Sequence, residues 1–164
     1  MNHAAYGARG SVERPEEILG RANAWARARG GEALLMDARA VFGVDHLTSA
    51  VHHAERAKAR GEMSARSLAM ETLLYLSGQR QVADGILVAG IRPGTERIAI
   101  LTFPAIRIEE LLEDLGWVRD DSVLEAEGKS LSILGVGARE GRTVPAQRRA
   151  DLALERTALL DIAK

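Results

Sequence analysis

The chain has 164 residues, 46% of them hydrophobic, with 22 Lys or Arg against 23 Asp or Glu and a formal net charge of −1. Near-neutrality excludes a general polyanion binder, so any contact with nucleic acid has to come from a local patch. The absence of cysteine excludes disulfides and thiolate metal sites and fits a reducing cytoplasm, and neither a secretory h-region nor an apolar run near the roughly 18 residues of a membrane span is visible.

Taken in chain order, Tyr6–Val12 is punctuated by glycine and reads as a loop or an edge strand. Pro15 stands where a helix begins, with Glu16 and Glu17 suited to its positive end and Ile18, Leu19, Ala22, Trp25 and Ala26 on one apolar face. Ala33–Met36 predicts a short buried strand. Asp45 suits the N-cap of a helix over about His46–Arg60, with Leu47, Ala50, Val51, Ala54 and Ala57 inward and His52, Glu55, Arg56 and Lys58 outward.

Ser64–Gln81 follows and is the most apolar helical run in the chain. Its polar exceptions Ser64, Ser67, Glu71 and Tyr75 fall on one stripe at 100° per residue, which Gly78 continues. Ser64 is the expected N-cap and Gly78 the expected stop. A helix apolar nearly all round is buried, and a polar stripe on it needs partners, because an unpaired buried polar group costs about 1–3 kcal/mol. Two readings stand open: a core helix whose stripe is satisfied internally, or a recognition surface formed by the stripe with Arg80.

Beyond it, Ile86–Ile91 taken alone reads as a strand, with Arg92–Thr95 as a hairpin turn. Arg97–Phe103 predicts a strand ended by Pro104, and Ile106–Leu115 a helix stopped by Gly116. From Glu109 to Glu127 the chain is strongly acidic, a solvated face that would repel RNA and attract a basic partner. Leu131–Leu134 is a short turn or helix, Gly135–Pro145 a Gly/Arg-rich connection, and Pro145 opens a last helix over about Ala146–Ile162. That helix is apolar on two sides: Leu152 and Leu159 point one way, Leu160 and Ala153 a quarter-turn round, Leu154, Ala158 and Ile162 opposite. Such a helix is either sandwiched in its own core or buries one side against another protein.

The motifs that carry chemistry are weak. Gly135, Gly137 and Gly141 miss the spacing of a dinucleotide loop, and no P-loop is present. His46, His52 and His53 lack the i, i+4 pairing of a metal site, so surface or cap histidines are expected and no metal. Ser77-Gly78 is not a nucleophile elbow, and the acids do not pair for proton transfer. No catalytic constellation or cofactor is expected, which favours a binding or regulatory subunit over an enzyme. The basic candidates are Arg56, Lys58, Arg60, Arg66 and Arg80, at the start and end of the central helix.

The run Ala65–Gln81 resembles the signature of the kinase-binding regulatory subunit of the KEOPS/EKC complex, the PRPK-binding protein family. Ala65, Arg66, Ser67, Leu68, Glu71, Leu73, Tyr75, Ser77, Gly78, Arg80 and Gln81 stand as in the family's run, with Val82 in place of Ile. The upstream stretch DARAVFGVDHLTSAVHHAERA and the C-terminal LALERTALLDI are similar too. The likeness extends from Leu34 to Ile162, weak over Glu125–Arg149 and loose before Glu32. It implies a short helix, not a strand, over Val82–Ile91. Together the readings give an α/β fold, with a small sheet of three or four short strands flanked by five or six helices in a single domain over residues 1–164.

The resemblance also implies a non-catalytic, cytoplasmic subunit acting in tRNA threonylcarbamoyladenosine modification. It would bind the kinase-like ATPase of KEOPS and the tRNA 3′ CCA end, and no membrane. The tRNA end is expected near Arg66, Ser67, Tyr75, Arg80 and Gln81, with Lys58 and Arg60 adding charge; the ATPase is expected on the last helix at Leu152, Leu159 and Ile162. The alternatives are a small enzyme using a Ser67/Glu71/Arg80 cluster, or a homo-oligomeric scaffold.

Overall fold

The structure, a computed structural model, describes residues 2–163. The chain divides into two compact units, one from the described part of Met1–Ala38 with Gly90–Leu124, the other from Arg39–Ala89 with the described part of Glu125–Lys164.

The first unit is built on a four-stranded antiparallel sheet in the order β2-β3-β1-β4, from β1 (Ala4–Arg9), β2 (Glu32–Asp37), β3 (Arg97–Phe103) and β4 (Val118–Arg119). The continuous apolar middle of β3 fits its place between two neighbours, with every residue from Ile98 to Phe103 buried. β1 is neither a loop nor an edge strand: β3 pairs with it from Ala4 to Arg9, and β4 adds to its end at Ala8 and Arg9. The glycines that suggested a loop serve close approach instead. A Cβ at Gly7 would lie 2.3 Å from the Asp120 carbonyl oxygen, and one at Gly10 would lie 2.0 Å from the Trp117 ring.

The helix α1 (Pro15–Ala28) starts at its proline and buries Ile18, Ala22 and Ala26 in a core shared with Leu35, Ile98, Ile100, Leu111 and Trp117. The helix α5 (Glu109–Leu115) begins later than its apolar period suggests. Ile106 is held out of it: its N–H donates to Thr102 Oγ1 at 3.0 Å, and its carbonyl accepts from the Tyr6 hydroxyl at 2.9 Å. The acidic run is partly answered within this unit, since Arg29 pairs with Glu110, Arg21 with Asp114, Arg9 with Asp120 and Arg119 with Asp121.

The second unit is helical. Its α2 (Val44–Ala59), α3 (Leu68–Ser77) and α7 (Ala150–Ala163) pack together, and α4 (Val82–Ala89) lies on α3. The inner stripe of α2 is buried as its spacing predicts, and His46 is buried with it, not on the surface. The α2 cap position is Gly43 and not Asp45, which sits in the first turn without capping it. Ser67, not Ser64, caps α3, its hydroxyl accepting from the Met70 N–H at 3.2 Å. The earlier residues are drawn out of the helix because Glu71 Oε2 takes the Ser64 N–H at 2.9 Å and the Ala65 N–H at 2.8 Å. Gly78 ends α3 at φ 70°.

Val82–Ala89 is a helix, as the family resemblance implies and the isolated apolar run does not. Gly85 makes its contact with α3 possible, since a Cβ there would come within 3.2 Å of Ser77 Oγ. A single turn, α6 (Ala138–Gly141), interrupts the Gly/Arg-rich connection and brings the helices to seven among the described residues. The last helix starts at Ala150 after a 3-10 turn, Ala146–Arg148, and buries Leu152, Ala153, Thr157 and Leu160.

Candidate functional site

Three members of the polar stripe, Ser67, Glu71 and Tyr75, find partners within the helical unit, while Ser64 is exposed. Ser67 caps the helix, and Glu71 binds the two backbone amides ahead of it. Tyr75 is buried, contrary to its expected place against tRNA: its ring stacks on His53 at 5.3 Å and its hydroxyl donates to Asp161 Oδ1 at 2.9 Å. Burial first, and then the hydrogen bond to Asp161, push the Tyr75 hydroxyl well above the usual tyrosine range. His53 Nδ1 lies 3.1 Å from Asp161 Oδ2 and Arg56 Nη2 3.9 Å from it. Burial raises the Asp161 carboxyl, but the hydrogen bonds from Tyr75 and His53 and the charges of His53 and Arg56 outweigh it and hold the group below the usual carboxylate range. This cluster ties α7 to α2 and α3, and Thr157 adds to it by donating to the Tyr75 carbonyl at 2.9 Å.

The cations expected at the site are exposed, but they do not form one group. Lys58 stands in the last turn of α2, Arg60 at its C-cap, and Arg66 in the short segment before α3. Arg80 and Gln81 stand in the turn between α3 and α4, so ten helical residues, or about 15 Å of rise, separate them from Ser67. Lys58, Arg60, Arg66 and Arg80 make no side-chain hydrogen bond or ion pair among the described residues. With Ser67 and Arg80 at opposite ends of α3, and Glu71 buried under backbone amides, the Ser67/Glu71/Arg80 cluster of the enzyme alternative is not assembled.

The proposed partner face is also altered. Leu152 is enclosed in a core with Phe42, Leu131, Leu134 and Val136 and is not available to another protein. Leu159 is 44% exposed and Ile162 83% exposed, because the inward line of α7 runs through Ala153, Thr157 and Leu160. Ile86 and Leu87 of α4 are exposed as well, at 47% and 72%, and sequence reasoning missed them. Read as a helix, their segment would have revealed them, since Gly85 and Ala89, four apart, take the inner face. Among the described residues no three of His, Asp or Glu gather as metal ligands, and no helix is long and apolar enough to cross a membrane.

The chain is a small mixed α/β protein, with a four-stranded antiparallel sheet in one unit and a helical second unit that carries exposed cations and exposed leucine and isoleucine side chains. The chain belongs to the family described as kinase binding protein CGI-121, which its residues 11–130 match, and it is thereby a kinase-binding protein. The match ends before the Gly/Arg-rich connection and α7, so the likeness seen in LALERTALLDI lies outside it. None of the curated proteins matches the chain.

Proposed function

We propose that the chain is the non-catalytic regulatory subunit of a KEOPS complex, binding its kinase-like ATPase and the 3′ CCA end of tRNA during threonylcarbamoyladenosine modification. The observation that carries this reading is the family match over residues 11–130, which makes a kinase the expected partner. The unpaired Lys58, Arg60, Arg66 and Arg80 support the RNA part, as cations without protein partners are free to neutralise phosphates. The exposed Leu159 and Ile162 support the contact with the ATPase through α7.

Two binding experiments test the two halves. Leu159→Asp with Ile162→Asp is expected to weaken binding of the ATPase subunit at least tenfold while the thermal transition moves little, and full affinity in the folded variant would remove α7 from the interface. Intact tRNA is expected to bind the isolated protein more tightly than tRNA trimmed of its CCA. Equal binding would leave only a generic charged surface, and no binding to either would reduce the role to the protein partner.

A further inference from the structure

The helical unit contains two adjoining cavities that neither the kinase nor the tRNA reading uses. One has a volume of about 630 Å³ and the other about 310 Å³, and both are lined by Lys129, Leu131 and Arg149. The larger is lined by Phe42, Ala126–Lys129, Leu131 and the residues around the start of α7, the smaller by Lys129–Ser132 and the Gly/Arg-rich connection, so the pair straddles the end of the family match at residue 130.

Their linings differ in chemistry. The larger has apolar walls from Phe42, Leu131 and Ala150, with Glu127 and Gln147 as its hydrogen-bonding groups beside the shared cations. The smaller adds Arg142, Ser130 and Ser132 to Lys129 and Arg149, and no carboxylate lines it. Nearby acids are already taken by other arginines, Asp151 by Arg148 at 3.0 Å and Glu140 by Arg156 at 2.6 Å. The side chains of Arg142 and Arg149 have no hydrogen bond or ion pair among the described residues. Lys129 Nζ donates to the Val41 carbonyl at 2.6 Å, which fixes its position. Ser130 Oγ and Ser132 Oγ are 2.7 Å apart; one donates to the other, leaving the second hydroxyl a hydrogen to give.

Three cations and a spare hydroxyl donor around one small chamber suit an oxyanion, and two guanidinium groups suit a phosphate above other anions. The larger chamber alongside suits a flat, mostly apolar body with polar edges. Both volumes lie within the roughly 300–1,000 Å³ of ligand pockets. We propose that this double cavity binds a nucleoside phosphate, with the phosphate between Arg142, Arg149 and Lys129 and the base against Phe42 and Leu131. It is not a glycine-rich dinucleotide loop, since Gly135 follows a 3-10 turn, Leu131–Leu134, and not a strand.

Calorimetric titration of the full chain at low salt tests this, with the four ribonucleoside 5′-monophosphates as probes and the four corresponding nucleosides, inorganic phosphate and a tetranucleotide as controls. Saturable binding of at least one monophosphate is expected, with the matching nucleoside and phosphate at least tenfold weaker. Arg142→Ser with Arg149→Ser should weaken it at least tenfold. Both side chains are exposed and without partners, so the fold should hold. Ala146→Phe, which fills the larger chamber without changing charge, should weaken it as well. The proposal is overturned if no monophosphate saturates, if phosphate alone binds equally well, if only the tetranucleotide binds, or if both variants bind like the unaltered chain.

Discussion

His46 shows what one buried side chain does for the helical unit. It is fully buried, its Nδ1 accepts from the Phe42 N–H at 3.1 Å, and its Nε2, which then carries the proton, donates to the Leu76 carbonyl at 3.1 Å. Both ring nitrogens are used only while the ring is neutral. Burial is the main reason that its pKa falls to about 4; the Leu76 hydrogen bond opposes this and the charge of Lys129 adds to it. A depressed histidine pKa stabilises the fold fully above the unfolded value near 6.5, and that contribution is lost as the pH falls through about 4. The unaltered chain should therefore lose about 3 kcal/mol relative to His46→Gln between pH 7 and pH 4. Urea denaturation of both proteins across that range measures it, and a constant difference would mean that His46 does not titrate as its burial requires. The sequence showed three histidines near one another and no reason to place this one inside. Its partners are backbone groups at Phe42 and Leu76, and backbone partners leave no side-chain signature.

At the scale of elements, helix spacing was legible wherever one face is buried and the other wet. The α2 stripe and the α1 face follow directly from it. It failed where packing decides the outcome. Leu152 and Leu159 are seven residues apart and share a face in projection, yet only Leu152 is closed over, by Phe42, Leu131, Leu134 and Val136 from other segments. Leu152→Asp should accordingly place a charge in a core and unfold the helical unit, lowering stability by at least about 3 kcal/mol. Ile162→Asp, at 83% exposure, should change it by less than about 0.5 kcal/mol. Paired thermal melts separate the two, and equal effects would show that the inward line of α7 is misassigned. The start of α3 was likewise hidden, because the Glu71 carboxylate competes with helix formation for the Ser64 and Ala65 amides, an interaction that propensity does not carry.

For the whole molecule, charge is the deciding quantity. A net charge of −1 gives no long-range attraction for RNA, so affinity has to rise from the few unpaired cations. If tRNA binds as proposed, Arg66→Ser should weaken it and lower the slope of log K against log salt by about 0.7, the increment for one phosphate contact on a single strand. A slope unchanged in a folded variant would place the contact elsewhere. The candidate site was legible as a set of residue types but not as a place, since the polar stripe and the cations adjoin in sequence yet divide in space. Glu71 and Tyr75 face inward, whereas Ser64 is exposed, and the cations lie in the last turn of α2 and on the segments before and after α3.

The division of the chain into units has a consequence for synthesis. Each unit takes two separated stretches of sequence, and they alternate along the chain. A ribosome has made every described strand of the sheet unit once it passes Leu124, whereas α2 and α3 must wait for Ala150–Ala163 to pack against them. Until then the apolar faces of those helices stand open to other nascent chains and to chaperones. A fragment cut at residue 130, the end of the family match, would hold the helical unit permanently in that state.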